Sequence, residues 1–362
     1  MKKRVGYGLL FFLLVITLAS LTITAKEQEG VYYYPETLMD ARDLYFNGTE
    51  VGILARAYNG DTYFLVYELG NPYLTGVYNF LATSIEDIQN GTLPEEEGVY
   101  YLPDGVTDVR DIQIINREIL ITSRTDGGDV AMTIYQMGQS YPTSFVLYQA
   151  EPIEKILNNN LTPEHGLYYI PDTTTDVRDV DIIGQEIILT CQTTIGDVAM
   201  IFYEMGESYP TSFAIFQATA PEKVDNRELP VEKGMYYIPD GGTDVRAVDF
   251  VGNEFVLTAP TDRGDVAMIF YNMGESYPNS YARFQSTEPS KVDNRELQGE
   301  QGLYFIPDGL TDIRGVIIEN SDILFLSKAR SGIIMTLFQG GNSYPVSYAF
   351  FKPTEPDKCF DN

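Results

Sequence analysis

Short apolar runs alternate with polar turns that contain Gly and Pro along the chain from residue 30 onward. Each run is rich in Val, Ile, Tyr and Phe, which is typical of β-strands. In one representative stretch the runs are residues 166–170, 176–183, 186–190, 197–204 and 212–218. The pattern predicts an all-β protein in which four or five strands follow one another as an antiparallel meander.

The turn between the second and third runs is the two-residue segment Gly184-Gln185. Gly and Asn tolerate the positive φ that a two-residue hairpin turn requires. The equivalent positions elsewhere in the chain are Gly48, Asn116, Gly252 and Asn320. A Gly or Asn at each of these places predicts hairpins of one common design.

The chain repeats itself every 68 residues. The glycines that open the successive units are Gly30, Gly98, Gly166, Gly234 and Gly302. Self-similarity at a fixed period is the signature of a repeat architecture. The predicted units are residues 30–97, 98–165, 166–233, 234–301 and 302–362, the last of them truncated.

The strand at residues 198–203 is apolar at both odd and even positions. A sheet covered on one face only would alternate, so this strand indicates packing on both faces. Like meander sheets stacked around an axis form a β-propeller, and five blades lie within the range of that fold. We therefore predict a five-bladed β-propeller. The alternatives are an open linear stack or a string of small β modules, because units 1 and 5 diverge as end caps do.

The N-terminal segment has the features of a secretory signal peptide. Lys2, Lys3 and Arg4 precede an apolar run over residues 9–21, and the small residue Ala25 follows. We predict cleavage after residue 25 and a secreted, extracellular protein with no membrane span. An uncleaved anchor over residues 5–24 is the alternative.

The net charge of the chain limits the classes of molecule that it is able to bind. The formal net charge is −28, and residues 1–25 contain three cations and no acid, so the predicted mature chain carries −31. Phosphate backbones repel such a protein, which excludes a general nucleic-acid binder. Three sequons, at Asn47, Asn90 and Asn160, predict a glycoprotein if the host glycosylates.

A recurring Tyr-Pro segment supplies candidate ligand-binding residues. Its tyrosines are Tyr141, Tyr209, Tyr277 and Tyr344. A Pro-stiffened loop that carries an aromatic ring suits stacking on a sugar or anchoring of a protein partner. The alternative is a Tyr packed beneath its own loop. We predict an extracellular glycan or protein surface as the partner of these loops.

A second recurring segment, Thr-Asp-Val-Arg, contributes the candidate ligand-binding residues Arg110, Arg178 and Arg246. Asp and Arg two residues apart on a strand share a face and are able to pair. Such pairs either clasp adjacent units, or form a ring of guanidinium groups that grips a carboxylate, sulfate or sugar hydroxyl.

The chain has one His and two distant Cys, so it offers no zinc cluster and no His-containing triad. We predict no catalytic residue from motifs, no metal site and no cofactor. The acidic groups around Asp111 and Asp179 do not reproduce a calcium-loop motif, so calcium is only an alternative. Cys191, within an apolar strand, is expected to be a buried thiol, whereas Cys359 is a candidate for an interchain link.

Three functions are compatible with these features. The first is a secreted, non-catalytic binding protein that presents repeated rim loops to a glycan or protein. The second is a structural or adhesive component of an extracellular matrix or fibre. The third is an exported glycoside-active enzyme, which needs two suitably spaced carboxylates in one pocket, supplied by different units.

Overall fold

The computed structural model consists of five five-stranded sheets. It describes residues 30–319, 321–330 and 332–360, except for the side chain of Met39. The predicted signal peptide lies outside the described residues. The first ten strands are β1 (Val31–Pro35), β2 (Leu38–Phe46), β3 (Glu50–Ala57), β4 (Thr62–Glu68), β5 (Leu74–Thr83), β6 (Val99–Pro103), β7 (Asp108–Ile115), β8 (Glu118–Arg124), β9 (Val130–Gln136) and β10 (Pro142–Glu151).

The remaining strands follow in the same order. They are β11 (Leu167–Pro171), β12 (Asp176–Ile183), β13 (Glu186–Gln192), β14 (Val198–Glu204), β15 (Ser212–Thr219), β16 (Met235–Pro239), β17 (Ala247–Val251), β18 (Glu254–Pro260), β19 (Val266–Asn272), β20 (Ser280–Thr287), β21 (Leu303–Pro307), β22 (Ile313–Glu319), β23 (Asp322–Ala329), β24 (Gly332–Phe338) and β25 (Ser347–Thr354). The five sheets are blades 1 to 5, which begin with β2, β7, β12, β17 and β22.

Each blade consists of four antiparallel strands and a fifth, parallel one. In blade 3, β12 to β15 form the predicted meander, and β16 then pairs in parallel with β15. Strand β16 belongs to the next sequence repeat, so repeats and blades are offset by one strand. Every repeat therefore donates its first strand to the blade before it.

The same exchange closes the ring. Strand β1, the first described strand, pairs in parallel with β25 of blade 5, where Tyr32 lies opposite Phe351. Within blade 5, β1 is thus joined to β25 by hydrogen bonds rather than by a continuous chain, and β1 leads directly into β2 of blade 1. This closure confirms the predicted five-bladed β-propeller and excludes the open stack and the string of separate modules.

An apolar core fills each junction between neighbouring blades. Strand β14 is buried at every position from Val198 to Tyr203, which agrees with the prediction of two covered faces. At the junction of blades 3 and 4, Tyr236 stacks on Phe216, with ring centroids 4.8 Å apart. Cores shared between blades mean that the blades stabilise one another.

Four of the five predicted hairpin turns lie within the described residues, and each has a positive φ at its Gly or Asn. The predicted turn at Asn320 lies outside the described residues. Gly184 and Gly252 have φ of 66°, and Asn116 has φ of 51°. These values fall in the left-handed region that a primed two-residue turn requires.

Short helices lie in the connections between repeats. They are α1 (Ile85–Asn90), α2 (Ile153–Leu157), α3 (Pro221–Asp225) and α4 (Pro289–Asp293), with a 3₁₀ helix at Pro356–Lys358. Val224 and Val292 anchor two of them in small apolar clusters. Across the described ranges, no helix has the length and apolar character needed to cross a membrane.

Candidate functional site

The first strand of each blade lines the ring axis. Strands β2, β7, β12, β17 and β22 contact one another around the axis and form the inner edge of their sheets. Four of them contain a β-bulge near the recurring Arg, as between Val177 and Asp179 in β12. A bulge interrupts the alternation of side chains along a strand. Arg178 and its neighbour Asp179 therefore both line the axial cavity.

The recurring arginines form one ring around the axis, which we call the arginine ring. Its members are Arg42, Arg110, Arg178, Arg246 and Arg314, and together they enclose a space of about 50 Å³. Arg178 contacts Asp176 of its own blade at 2.8 Å and Asp244 of the next blade at 3.7 Å. Cross-blade pairs of this kind link four of the five junctions, including that between blades 5 and 1.

The predicted ligand-binding residues Arg110, Arg178 and Arg246 thus lie in the ring around the axis. Arg110 pairs with Asp108 at 2.7 Å, and Arg246 pairs with Asp244 at 2.5 Å. Because each guanidinium already has an acidic partner, the arginine ring primarily clasps adjacent blades.

Next to the arginine ring lies a second set of acids, of which the sequence pointed to Asp111 and Asp179 only as possible calcium ligands. This carboxylate cluster consists of Asp43, Asp111, Asp179, Asp181 and Asp249. The first three occupy the same position in repeats 1 to 3, and Ala247 and Gly315 replace them in repeats 4 and 5. The acids are therefore concentrated on one side of the ring, which breaks the repeat symmetry.

Three of these acids bridge neighbouring blades through backbone hydrogen bonds. Asp179 does so by accepting one from the N–H of Val248 in blade 4. Asp43 accepts hydrogen bonds from the backbone N–H of Leu44 at 2.7 Å and of Ile112, one blade on, at 3.1 Å. Asp249 similarly accepts one from Ile318 of blade 5 at 2.7 Å. These carboxyl groups satisfy backbone donors at the centre of the ring, where water access is restricted.

Asp111 and Asp181 differ, because each retains an oxygen without a hydrogen-bond partner. Asp111 is 4% exposed, and its Oδ2 is buried and unpartnered, as is Oδ2 of Asp181. The side chains of Asp111 and Asp43 are in hydrogen-bonding contact with each other. Unpartnered buried acceptors are rare in folded proteins and indicate a missing partner.

Burial raises the pKa of every member of the carboxylate cluster. It raises the pKa of Asp43 and of Asp249 to about 6 and that of Asp181 to about 8. The pKa of Asp111 is well above its ordinary value, first through burial and then through the negative charge of Asp43. At neutral pH the cluster therefore contains both protonated and ionised carboxyl groups.

The carboxylate cluster lines an axial cavity of about 300 Å³. Gln113 and Tyr45 add further polar groups to its wall. Blades 4 and 5 contribute the apolar residues Ala247 and 316–318, together with Asp249, Arg246 and Arg314. The cavity thus combines carboxyl groups, guanidinium groups and an aliphatic patch.

A close approach between blades explains why position 315 is a Gly rather than an Asp. A Cβ at Gly315 would lie 2.8 Å from Leu44 Cβ and 3.0 Å from Leu44 N, across the junction of blades 5 and 1. We expect Gly315→Ala to lower the free energy of unfolding by about 1–3 kcal/mol through overpacking. Urea denaturation followed by circular dichroism measures this change. The control is Gly127→Ala, whose Cβ would meet only Thr125 Oγ1, at 3.6 Å. Equal stability of the two variants would contradict the tight junction.

The predicted Tyr platforms are not exposed, which corrects that expectation. Tyr277 is 5% exposed and Tyr344 is 8% exposed, while Tyr141 and Tyr209 are half-buried. The Tyr277 hydroxyl donates to the carbonyl of Leu229 at 2.7 Å and accepts from its N–H at 2.6 Å.

The other three tyrosines hold Leu93, Leu161 and Leu297 through hydroxyl–backbone hydrogen bonds of the same kind. Each Tyr therefore fixes the connection that passes over it. Its ring is covered by a segment almost fifty residues earlier in the chain.

The remaining candidates lie away from the axis. Asn47, Asn90 and Asn160 are exposed at the surface, so the sequons are accessible, and their use stays a prediction. Cys191 is fully buried as predicted. Cys359 is also fully buried, where it follows the terminal 3₁₀ helix, and burial raises the pKa of its thiol to about 11. A buried thiol is not available for the interchain link considered from the sequence.

A second cavity, of about 340 Å³, lies between blades 1 and 5. Its charged residues include Asp40 and Lys328, which form an ion pair at 3.0 Å. Because these two charges neutralise each other, this cavity offers a weaker polar anchor for a ligand than the axial cavity.

No protein-family model matches the chain, and no curated protein matches it in sequence. Among solved structures, the chain is similar to the GH43 endo-arabinanase from Bacillus licheniformis, with a TM-score of 0.43 and 8% identity over 87% of this chain and 99% of that one. It is similar to the SapL1 lectin in complex with alpha methyl fucoside, with a TM-score of 0.40 and 10% identity over 86% and 81%.

The Dos1 propeller gives a TM-score of 0.33 and 8% identity over 86% of this chain and 57% of that one. The chain thus spans just over half the length of that relative. Likeness at this level carries no argument about function. The order and pairing of the strands establish the propeller fold.

Proposed function

We propose that this chain is an exported sugar-binding protein whose ligand site is the axial cavity rather than the Tyr-Pro loops. The observation that carries the proposal is the pair of unpartnered carboxyl oxygens, on Asp111 and Asp181, beside a cavity of about 300 Å³. Export is proposed from the sequence of residues 1–25.

The size and chemistry of the cavity support a sugar. Ligand pockets usually span about 300–1,000 Å³, so this cavity suits one terminal sugar residue or a similarly small molecule. Carboxyl oxygens accept hydrogen bonds from sugar hydroxyls, while Ala247 and residues 316–318 offer an apolar surface to the C–H face of a pyranose. Tyr45 lines the same cavity and supplies an aromatic ring.

A glycan array, followed by calorimetric titration of the hits, tests this proposal. We expect binding to glycans with an accessible terminal residue, and a loss of affinity of at least about tenfold in Asp111→Asn and Asp181→Asn. Leaving a buried hydrogen-bonding group without its partner typically costs about 1–3 kcal/mol, and about 1.4 kcal/mol corresponds to a tenfold loss. The matched control is Asp172→Asn, because Asp172 is an exposed acid outside the cavity.

Two outcomes would overturn the proposal. One is the absence of binding across a broad array. The other is binding that survives both cavity substitutions but is lost in Tyr141→Ala or Tyr209→Ala, which would return the site to the rim loops. Thermal unfolding of each variant separates loss of the site from loss of the fold.

The broken symmetry of the carboxylate cluster favours a second candidate, glycoside hydrolysis. Asp181 of blade 3 and Asp249 of blade 4 converge on one cavity, and the negative charge of Asp249 contributes to the raised pKa of Asp181. With a pKa of about 8, Asp181 is protonated at neutral pH, whereas Asp249, with a pKa of about 6, is largely ionised. Glycosidases use such a pair as general acid and as base or nucleophile.

Release of reducing ends from the sugars that bind distinguishes the two candidates. A hydrolase would turn them over, and Asp181→Asn and Asp249→Asn would each abolish turnover. Stable binding without turnover would support the non-catalytic binding protein.

A further inference from the structure

The cavity between blades 1 and 5 has a wall that no other blade junction reproduces. Its volume of about 340 Å³ lies within the usual range of ligand pockets. Tyr58 of blade 1 and Arg330 of blade 5 line it, and they occupy the same position in their repeats. That position holds Asp126, Thr194 and Asp262 in repeats 2 to 4. The aromatic ring and the guanidinium group therefore meet only at the junction that closes the ring.

Tyr58 offers an open aromatic surface to this cavity. It lines the cavity and is nevertheless 75% exposed. The tyrosines of the Tyr-Pro loops differ from it, because a preceding segment of the chain covers each of them. An uncovered phenol ring combines an apolar face with a polar tip, so it is able to stack on the C–H face of a sugar ring.

Tyr34 adds a hydroxyl group to the cavity wall. The residue is 7% exposed, and within the described ranges its hydroxyl makes no hydrogen bond, in contrast to those of Tyr32 and Tyr67 at the same junction. Burial, and then the neighbouring Tyr58, raise the pKa of Tyr34, so the hydroxyl is protonated at neutral pH. A buried tyrosine hydroxyl usually has a hydrogen-bond partner, and its absence points to a ligand that supplies one.

The charges in the cavity wall balance one another. Asp40 and Lys328 form an ion pair at 3.0 Å, and Glu36 and Arg330 add one charge of each sign. In the part of the chain that the structure describes, neither Glu36 nor Arg330 lies within 4.0 Å of an oppositely charged group. Both side chains are exposed and therefore available to a ligand.

This balance favours an uncharged ligand. The two cationic side chains of the wall repel a cation, while its two acids and the net charge of −28 repel an anion. A guanidinium group only donates hydrogen bonds and a carboxylate only accepts them. A molecule with several hydroxyl groups is able to satisfy both, because each hydroxyl donates and accepts.

We infer that the cavity between blades 1 and 5 is a second, off-axis sugar site that takes a neutral pyranose residue. The sugar ring stacks on Tyr58. Its hydroxyl groups form hydrogen bonds with Tyr34, Glu36 and Arg330. The inference goes beyond the proposed function, because the two cavities have no lining residue in common.

A fluorophore placed at this cavity tests the inference. The chain contains no Trp, so Tyr58→Trp introduces a single indole and keeps an aromatic ring at the site. Its emission is recorded during titration with the methyl glycosides of glucose and galactose, and with the corresponding uronates and amino sugars. We expect a saturable change with at least one neutral glycoside, which binds more tightly than its two charged counterparts.

Further substitutions in the Tyr58→Trp background assign the binding to the proposed contacts. Tyr34→Phe, which removes only the hydroxyl, should weaken binding about two- to tenfold, since one hydrogen bond is typically worth that much. Arg330→Gln should weaken it by at least as much. The matched control is Arg263→Gln, at an exposed Arg in the corresponding turn of blade 4 and outside the cavity. Far-ultraviolet circular dichroism confirms that each variant is folded.

Three results would overturn the inference. They are no saturable response to either neutral glycoside, a response to the uronates or the amino sugars alone, and a response that Asp111→Asn removes. In the last case the indole would be reporting on the axial cavity. A response that persists in Asp111→Asn would support the second site, whether or not binding on the glycan array depends on Asp111. The proposed function of the axial cavity is therefore judged separately.

Discussion

Tyr32→Ala is expected to lower the free energy of unfolding by about 3–5 kcal/mol, which is the usual cost of truncating a fully buried aromatic side chain. Tyr32 is 4% exposed in the strand that closes the ring, and its ring stacks on Phe351 with centroids 4.9 Å apart. Its hydroxyl also accepts a hydrogen bond from the N–H of Gly70 at 3.1 Å. The substitution therefore weakens the pairing of β1 with β25, two strands that are not consecutive in the chain. Urea denaturation measures the change.

An internal junction provides a matched control for this experiment. Tyr236 makes the equivalent contacts, with Phe216 at 4.8 Å and the N–H of Gly274 at 2.8 Å, between blades that the chain connects directly. Tyr236→Ala should destabilise the protein to a similar extent, whereas Tyr58→Ala, at a side chain that is 75% exposed, should have little effect. If Tyr32→Ala left stability unchanged while Tyr236→Ala did not, strand β1 would not close the ring.

The stability of the protein is expected to fall as the pH rises from about 4 to 8. Burial raises the pKa of Asp43 and Asp249 to about 6 and that of Asp181 to about 8, from an ordinary value of about 3.9. A carboxyl group with a raised pKa stabilises the folded state below its unfolded pKa, and this contribution is lost as the pH rises through the folded pKa. Between its unfolded and its folded pKa, each group lowers the free energy of unfolding by about 1.4 kcal/mol per pH unit.

Denaturation curves at pH 5, 7 and 9 measure this dependence, and one substitution assigns it to the axis. Asp181→Asn should flatten the upper part of the profile, since the amide has no proton to lose there. Asp172→Asn, at an exposed acid, should leave the profile as it is. Stability that rose steadily with pH would show that ionisation of the carboxylate cluster does not lower the free energy of unfolding.

Local sequence was sufficient to predict the strands, the hairpin turns and the stacking of repeats. Gly184 shows why, because a positive φ at a two-residue turn is a local requirement that the sequence satisfies. The offset between repeats and blades was not predictable. A 68-residue period has no natural starting point, so it does not show that Gly166 to Pro171 pairs with the preceding unit.

The candidate site was only partly predictable, for two physical reasons. Asp179 follows Arg178 directly, and strand alternation would place the two on opposite faces, but a bulge aims both at the axis. The replacement of this Asp by Ala247 and Gly315 was visible in the sequence and could have marked the asymmetric side of the ring. The Tyr-Pro loops misled because the segment that covers Tyr209 comes from Leu161, far away in sequence.

The strand that each repeat donates also bears on how the protein could have arisen. A single 68-residue copy carries both an open sheet edge and a strand that fits that edge in another copy. The strand of one copy therefore fits the sheet edge of a second copy in a head-to-tail contact. Repeated contacts of this kind form a closed ring when a whole number of copies completes one full turn. An ancestral peptide of one unit would therefore already contain the whole geometry of a pentameric ring, and gene fusion would need only to join the copies end to end.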